Sequence, residues 1–212
     1  MSTATLTTAT SATKGTPRKH APKNPKTMPE RLYHGMRMSW ERFQDWQAPE
    51  FDGWKYEWSN GFLRAYELKM KSEERHIVYN ITRRFSTTSY YQAGGSLFPE
   101  ALFKIPGKNR GRIPDLSFST KEQTFAGRFT SELVPAFVIE LISPHDIVYE
   151  LERKIEDYFD VGVQCVWLIY PELNYIRVYA SRNRSDTFRL GDTCSAAPAL
   201  PEFSMPVDAI FA

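Results

Sequence analysis

Apolar and polar residues alternate with two different periods along this chain, and the changes of period mark its elements. Ser39-Trp40-Glu41-Arg42-Phe43-Gln44-Asp45-Trp46 reads as a short helix capped by Ser39 and packed on an edge. Trp54 to Trp58 and Leu63 to Leu68 read as two antiparallel strands, because Asn60-Gly61 between them is a strong hairpin signal. From Glu73 to about Tyr90, Ile77, Val78, Ile81 and Phe85 recur at helical spacing, and Gly94-Gly95 ends that helix. Extended chain follows at Leu97-Phe98 and from Ala101 to Ile105. A basic turn, Lys108-Asn109-Arg110-Gly111-Arg112, then leads into a strand over about Ile113 to Ser119.

Pro135 to Ile142 is almost continuously apolar, which predicts a central strand covered on both faces. Ser143-Pro144-His145-Asp146 follows at once, with Ser143 placed to cap a helix, Pro144 at its first position and Asp146 where a capping-box acid would sit. That helix carries Ile147, Leu151, Ile155, Tyr158 and Phe159 on one stripe and stops at Gly162. Gln164 to Tyr170 is the next apolar strand. A turn at Pro171 to Asn174 joins it to an alternating strand at Tyr175 to Tyr179, and Ala197 to Pro201 reads as an extended closing segment. The strand, helix, strand unit over 135 to 170 predicts one parallel pair with a right-handed crossover. The fold class expected is α/β: a mixed, mostly antiparallel β-sheet flanked by helices.

Composition narrows the function classes. At 212 residues and 42% apolar, the chain suits a single globular core, and no apolar run approaches the roughly 20 residues of a membrane-spanning helix. Cys165 and Cys194 stand in no metal-binding or disulfide-framework spacing, so they read as packing residues and a reducing cytoplasm is expected. The net charge of +2 conceals an asymmetry, since residues 1–27 hold five Lys or Arg and no acid. This Thr-, Ser-, Ala- and Pro-rich stretch has too few large apolar groups to offset the entropy of ordering, which predicts a disordered basic leader, 1–27, before a single domain, 28–212. A solvated leader is the first reading, and an arm on nucleic-acid phosphate the second.

Glu140 is the anomaly that carries chemistry. Within Ala136-Phe137-Val138-Ile139-Glu140-Leu141-Ile142 an isolated carboxylate would cost several kcal/mol to bury unless a partner or cation meets it. By the strand period, Asp115 and Ser117 oppose Leu116 and Phe118, so Asp115 converges with Glu140 if the two strands are neighbours in register. Two carboxylates with water between them suit Mg²⁺ or Mn²⁺. Lys154 borders the apolar stripe of the following helix and can lean toward them, to orient an attacking water or stabilise developing phosphoryl charge. The plain alternatives are salt links: Glu140 with a buried base, Lys154 with Glu150, and Asp115 as a turn cap. Arg83, Arg84, Lys104, Lys108, Arg110 and Arg112 could rim such a site for phosphate, with a solvated surface as the default.

Several of these segments together resemble one family. Tyr56-Glu57-Trp58-Ser59-Asn60-Gly61, Arg112 to Phe118, Phe137 to Asp146, Lys154 with Tyr158, and Gly162 to Pro171 look like the Uma2 family, also called DUF820, of the PD-(D/E)XK nuclease superfamily. The resemblance runs from about residue 30 to the end. It implies a restriction-endonuclease-like core and Mg²⁺-dependent cleavage of DNA, with Asp115 and Glu140 as metal ligands and Asp115, Glu140 and Lys154 as the catalytic set. The superfamily's usual lysine position is Ile142 here, and the family pattern moves the lysine to the helix, where Lys154 lies. Members often carry an acid after the hairpin glycine; Phe62 stands there, leaving Glu67, Glu73, Glu74 or Glu100 to complete the site. His76 matches a histidine often found early in the first core helix, although a packing role accounts for it equally well. The rival class is a catalytically silent module of the same fold that binds nucleic acid or a protein, and hydrolysis of a small phosphoester is a third reading. A homodimer is compatible with double-strand cleavage.

Overall fold

A computed structural model describes residues 33–46, 54–67, 74–127 and 133–212, all within the unit Arg31–Ala212. The basic leader, Glu73 and the side chain of Glu67 lie outside the described residues. Trp40–Asp45 (α1) begins where the Ser39 hydroxyl accepts the Arg42 N–H at 3.2 Å. The hairpin follows as Trp54–Ser59 (β1) and Phe62–Glu67 (β2), turning through Asn60 and Gly61 at φ of 53° and 80°, the left-handed pair that a two-residue turn requires. Its two faces differ. Trp54, Tyr56, Trp58, Leu63 and Ala65 pack on Met38, Trp40 and Phe43 as a core of their own, which leaves Lys55, Glu57, Arg64 and Tyr66 to the opposite face by the period of two.

Arg75–Phe85 (α2) buries Ile77, Ile81 and Phe85, but it stops short of the single helix expected to Tyr90. The hydroxyls of Ser86, Thr87 and Thr88 donate to the carbonyls of Arg83, Arg84 and Phe85, competing with the helical N–H groups. Thr88 then caps a separate turn, Ser89–Gln92 (α3). Ser96–Pro99 (β3) precedes a two-stranded ribbon, Phe103–Lys104 (β4) with Gly111–Arg112 (β5). The strand expected over Ile113 to Ser119 is thus divided. Pro114, with no N–H to give a ladder, lies between β5 and Leu116–Ser119 (β6), and a Thr120 capping box starts Lys121–Ala126 (α4).

Phe137–Leu141 (β7), Val148–Asp160 (α5) and Cys165–Tyr170 (β8) form the crossover unit, with β7 and β8 parallel as expected. The helix starts later than its sequence signals. Asp146 does accept the Ser143 N–H at 2.7 Å, but the Ser143 hydroxyl accepts only the His145 N–H, two residues on. The bonds that would cap a helix therefore close a turn, and Ile147 is 62% exposed rather than part of the apolar stripe. Tyr175–Ser181 (β9) and Arg184–Arg189 (β10) complete a six-stranded sheet in the order β10-β9-β8-β7-β6-β3, antiparallel except at β7-β8. Thr193–Ala196 (β11), Leu200–Pro206 (β12) and Val207–Phe211 (α6) close the chain.

The sheet has a core on each face. Leu116, Phe118, Phe137, Ile139, Trp167 and Ile169 pack toward α2, β12 and α6, and the buried free thiols Cys165 and Cys194 lie there too. Burial pushes both thiols up to about 12, as packing residues require. On the other face Val138, Val166 and Leu168 meet Ile155 and Tyr158 of α5. Glu140 belongs to this second face, so α5 is the helix that covers it.

Candidate active site

β6 and β7 pair with Leu116 opposite Ile139 and Ser117 opposite Val138, a register that continues to Asp115 opposite Glu140. Asp115 Oδ2 accepts the Leu141 N–H at 2.7 Å, fixing that carboxylate against β7. Lys154 Nζ lies 3.4 Å from both oxygens of Glu140, and the Tyr158 hydroxyl, one turn further along α5, donates to Glu140 Oε1. The structure therefore brings Asp115, Glu140 and Lys154 together. It does not pair Lys154 with Glu150, whose carboxylate meets Arg153 at 3.1 Å.

Two further charged residues come from the hairpin. Lys55 Nζ is 3.0 Å from Asp115 Oδ1, and Glu57 Oε1 is 3.4 Å from Lys154 Nζ. Tyr66, opposite Lys55 in the β1-β2 register, puts its ring centroid 4.9 Å from Lys154 Nζ. The sequence carried a signal for this pair: in Trp54-Lys55-Tyr56-Glu57-Trp58 the charges share a face opposite three aromatics. Phe62, which stands where family members often carry an acid, is 42% exposed, and the further carboxylate beside Lys154 is Glu57, a residue not among those expected to complete the site. Of the acids offered to complete the site, Glu73 and the side chain of Glu67 lie outside the described residues, and Glu74 and Glu100 do not join the cluster. Glu74 and His76 line a separate cavity with Ile77, Pro171 and Glu172. Glu100 is exposed, and only its backbone N–H meets Asp115, donating to the carbonyl at 3.2 Å.

Burial is the largest single influence on each of these charges, but it prevails only at Glu140. It pushes the Glu140 carboxyl above the usual range; Lys154 and Lys55 oppose the shift without overcoming it, while Asp115 and Glu57 add to it. For Lys154, burial works against the charge, but Glu140, Glu57 and Asp115 outweigh it and hold the ammonium charged. Burial would raise Glu57 as well, yet Lys154, Arg112 and Lys55 hold it below the usual carboxylate range. Arg112 bridges outward: at 3% exposure it reaches Glu57 at 2.7 Å and Asp157 at 2.6 Å.

The basic residues that could rim the site for phosphate, with a solvated surface as the default reading, are mostly committed elsewhere. Lys108 and Arg110 each lie 3.0 Å from Asp157, with Arg112 in the same network. Arg83 and Arg84 sit on α2, which packs on the sheet face away from Glu140. Lys104 lies over the Trp40 ring at 5.6 Å. Among the described residues, no three His, Cys, Asp or Glu side chains are grouped so as to hold a metal ion, and no helix is long and apolar enough to cross a membrane.

The Uma2 family model, described as "Putative restriction endonuclease", matches residues 40–208. The chain belongs to the Uma2 family. The crystal structure of "a putative nuclease belonging to DUF820" from Anabaena variabilis ATCC 29413 is similar to it with a TM-score of 0.67 and 17% identity, covering 82% of this chain and 97% of that one. At that identity the likeness speaks for the fold: this Uma2 chain has the mixed α/β core that its sequence pattern predicts, in the restriction-endonuclease-like form that the family resemblance implies. No curated protein matches it.

Proposed function

We propose that this Uma2 protein is a metal-dependent endonuclease that hydrolyses DNA phosphodiester bonds at Asp115, Glu140 and Lys154, using Mg²⁺ or Mn²⁺. The single observation that carries the reading is Glu140, which is 4% exposed and faces Asp115 with too little positive charge to hold its carboxyl in the usual range. A hard divalent ion fits this donor set, since carboxylate oxygens are its preferred ligands and water completes its shell. Asp115 and Glu140 would hold it, and bound there it supplies Lewis-acid stabilisation of charge on the phosphate.

The remaining roles fall to this chain's own side chains. Lys154, held charged and half-buried, orients the attacking water or meets the developing negative charge. Glu57 and Tyr66 position Lys154, and Tyr158 positions Glu140, so both reacting groups are fixed before substrate arrives. Cutting both strands of a duplex with one such site per chain calls for a homodimer. A reducing cytoplasm suits the two buried free thiols.

One observation favours a second reading, a module of this fold that binds nucleic acid or a protein without cleaving: Asp115 Oδ1 already has Lys55 at 3.0 Å. Nicking of supercoiled plasmid with and without Mg²⁺ separates the two. Wild type should nick only with the ion, and Glu140→Gln should lower the rate by at least about a hundredfold, the scale lost with one preorganised electrostatic group. Nicking that survives in Glu140→Gln would overturn the assignment. DNA binding without metal-dependent nicking would establish the second reading.

A further inference from the structure

We propose that Lys55 is the resident counter-ion of Asp115, and that a divalent cation enters the site by displacing its ammonium, so that Lys55 sets the metal affinity. This rests on the nuclease reading to the extent that a cation is held between Asp115 and Glu140.

The partners of Asp115 support the displacement. Oδ2 accepts a backbone amide at 2.7 Å, a bond fixed by the position of β7, whereas Oδ1 faces the ammonium of Lys55 at 3.0 Å. An ammonium on a four-carbon stem is an exchangeable partner, and a backbone N–H is not. Asp115 is also the accessible end of the cluster. Side-chain exposure is 23% at Asp115, against 11% at Lys55, 12% at Lys154, 5% at Glu140 and 1% at Glu57. An ion arriving from water therefore meets Asp115, with Lys55 on it, before it meets Glu140.

Lys154 is held differently. It sits 3.4 Å from Glu140 and Glu57 and lies over the Tyr66 ring, so it has three direct partners, where among the described residues Lys55 has its ion pair with Asp115. Lys55 and Lys154 already repel one another across the cluster. A divalent ion added to both ammoniums would place four positive charges against Asp115, Glu140 and Glu57. Loss of Lys55 from Asp115 relieves that excess at the smallest cost in contacts.

Binding of Mn²⁺ to the full chain, followed by the electron paramagnetic resonance of the free ion, tests the inference. Relative to wild type, Lys55→Met and Lys55→Gln should each lower the Kd by about three- to tenfold, where tenfold corresponds to about 1.4 kcal/mol. Lys108→Met removes a like charge outside the site and should leave the Kd unchanged. Glu140→Gln should lose binding. Thermal melting gives a second readout: both Lys55 variants should melt below wild type without metal and gain more than wild type when Mg²⁺ is added. Equal or weaker Mn²⁺ binding by the Lys55 variants, with wild type binding and Glu140→Gln not, overturns the role of Lys55 and leaves the nuclease reading standing. A gain as large in Lys108→Met overturns displacement in favour of a general charge effect. Absence of Mn²⁺ binding in wild type and Lys55 variants alike overturns both the inference and the metal site beneath it.

Discussion

Glu140 and Asp157 are both nearly sealed from water, at 4% and 1% exposure, yet the chain meets their charges in opposite ways. Asp157 receives Arg112 through Nε and Nη2 at 3.1 and 2.6 Å, with Arg110 and Lys108 each at 3.0 Å. Burial would raise its carboxyl, but Arg112 and the surrounding hydrogen bonds hold it below the usual range. Glu140 has the Tyr158 hydroxyl and one ammonium at 3.4 Å, and burial prevails over them. A carboxylate with surplus donors is a permanent part of the scaffold. One left short of positive charge in the same protein layer is where the proposed cation would be held.

The largest expected effect breaks the surplus. Asp157→Asn leaves the buried Arg112 and the half-buried Arg110 against a neutral amide and should cost about 3–5 kcal/mol in urea denaturation, the range for removing one partner of a buried pair. Glu140→Gln should cost much less, because the wild-type carboxylate is itself poorly compensated. Reversal of that order would show that Glu140, not Asp157, is the structural anion, and the contrast would fail. Tyr158→Phe comes next: it deletes the O–H that Glu140 Oε1 accepts and should destabilise by about 1.5–3 kcal/mol, as for a hydrogen bond to a charged group.

The same contrast gives opposite dependence on pH. Asp157 and Glu57 have lowered carboxyls, so their stabilisation is present above the ordinary values of 3.8 and 4.5 and is lost as pH falls through the depressed ones. Glu140 is raised above 4.5, so whatever it contributes is present below that value and is lost as pH rises through its folded one. With rising pH, Asp157→Asn should fall further behind wild type while Glu140→Gln draws level or overtakes it. Each unit of difference between folded and unfolded pKa is worth about 1.4 kcal/mol. Parallel pH curves for the two variants would erase the distinction.

How much of this was legible in the sequence depended on range. Glu140 stood out because one acid in an apolar run has a cost whatever the fold, and the strand period then put Asp115 on the same face. Lys154 followed from helical spacing after Leu151. Lys55 and Glu57 could be assigned a face within their hairpin, but which strand and helix that face meets is decided by tertiary packing. The late start of α5 is hidden because Asp146 makes the bond to Ser143 that a capping box would also use. β10 is hidden because Arg184, Ser185, Asp186 and Thr187, at the sheet edge, are all exposed and present no apolar alternation.

The smallest effect tests whether the surplus at Asp157 is real. Lys108 contacts Asp157 at 3.0 Å and also pairs with Asp160, but its side chain is 34% exposed, so water screens it more than Arg110 or Arg112, at 21% and 3%. If Arg112 and Arg110 already satisfy Asp157, Lys108→Ala should cost less than about 1 kcal/mol in low salt, as exposed ion pairs do. The cost should shrink further at 1 M salt, where the screening length falls to about 3 Å. Urea midpoints at two ionic strengths measure both. A loss approaching that of Asp157→Asn, unchanged by salt, would mean that Asp157 depends on its outermost cation and is as short of compensation as Glu140.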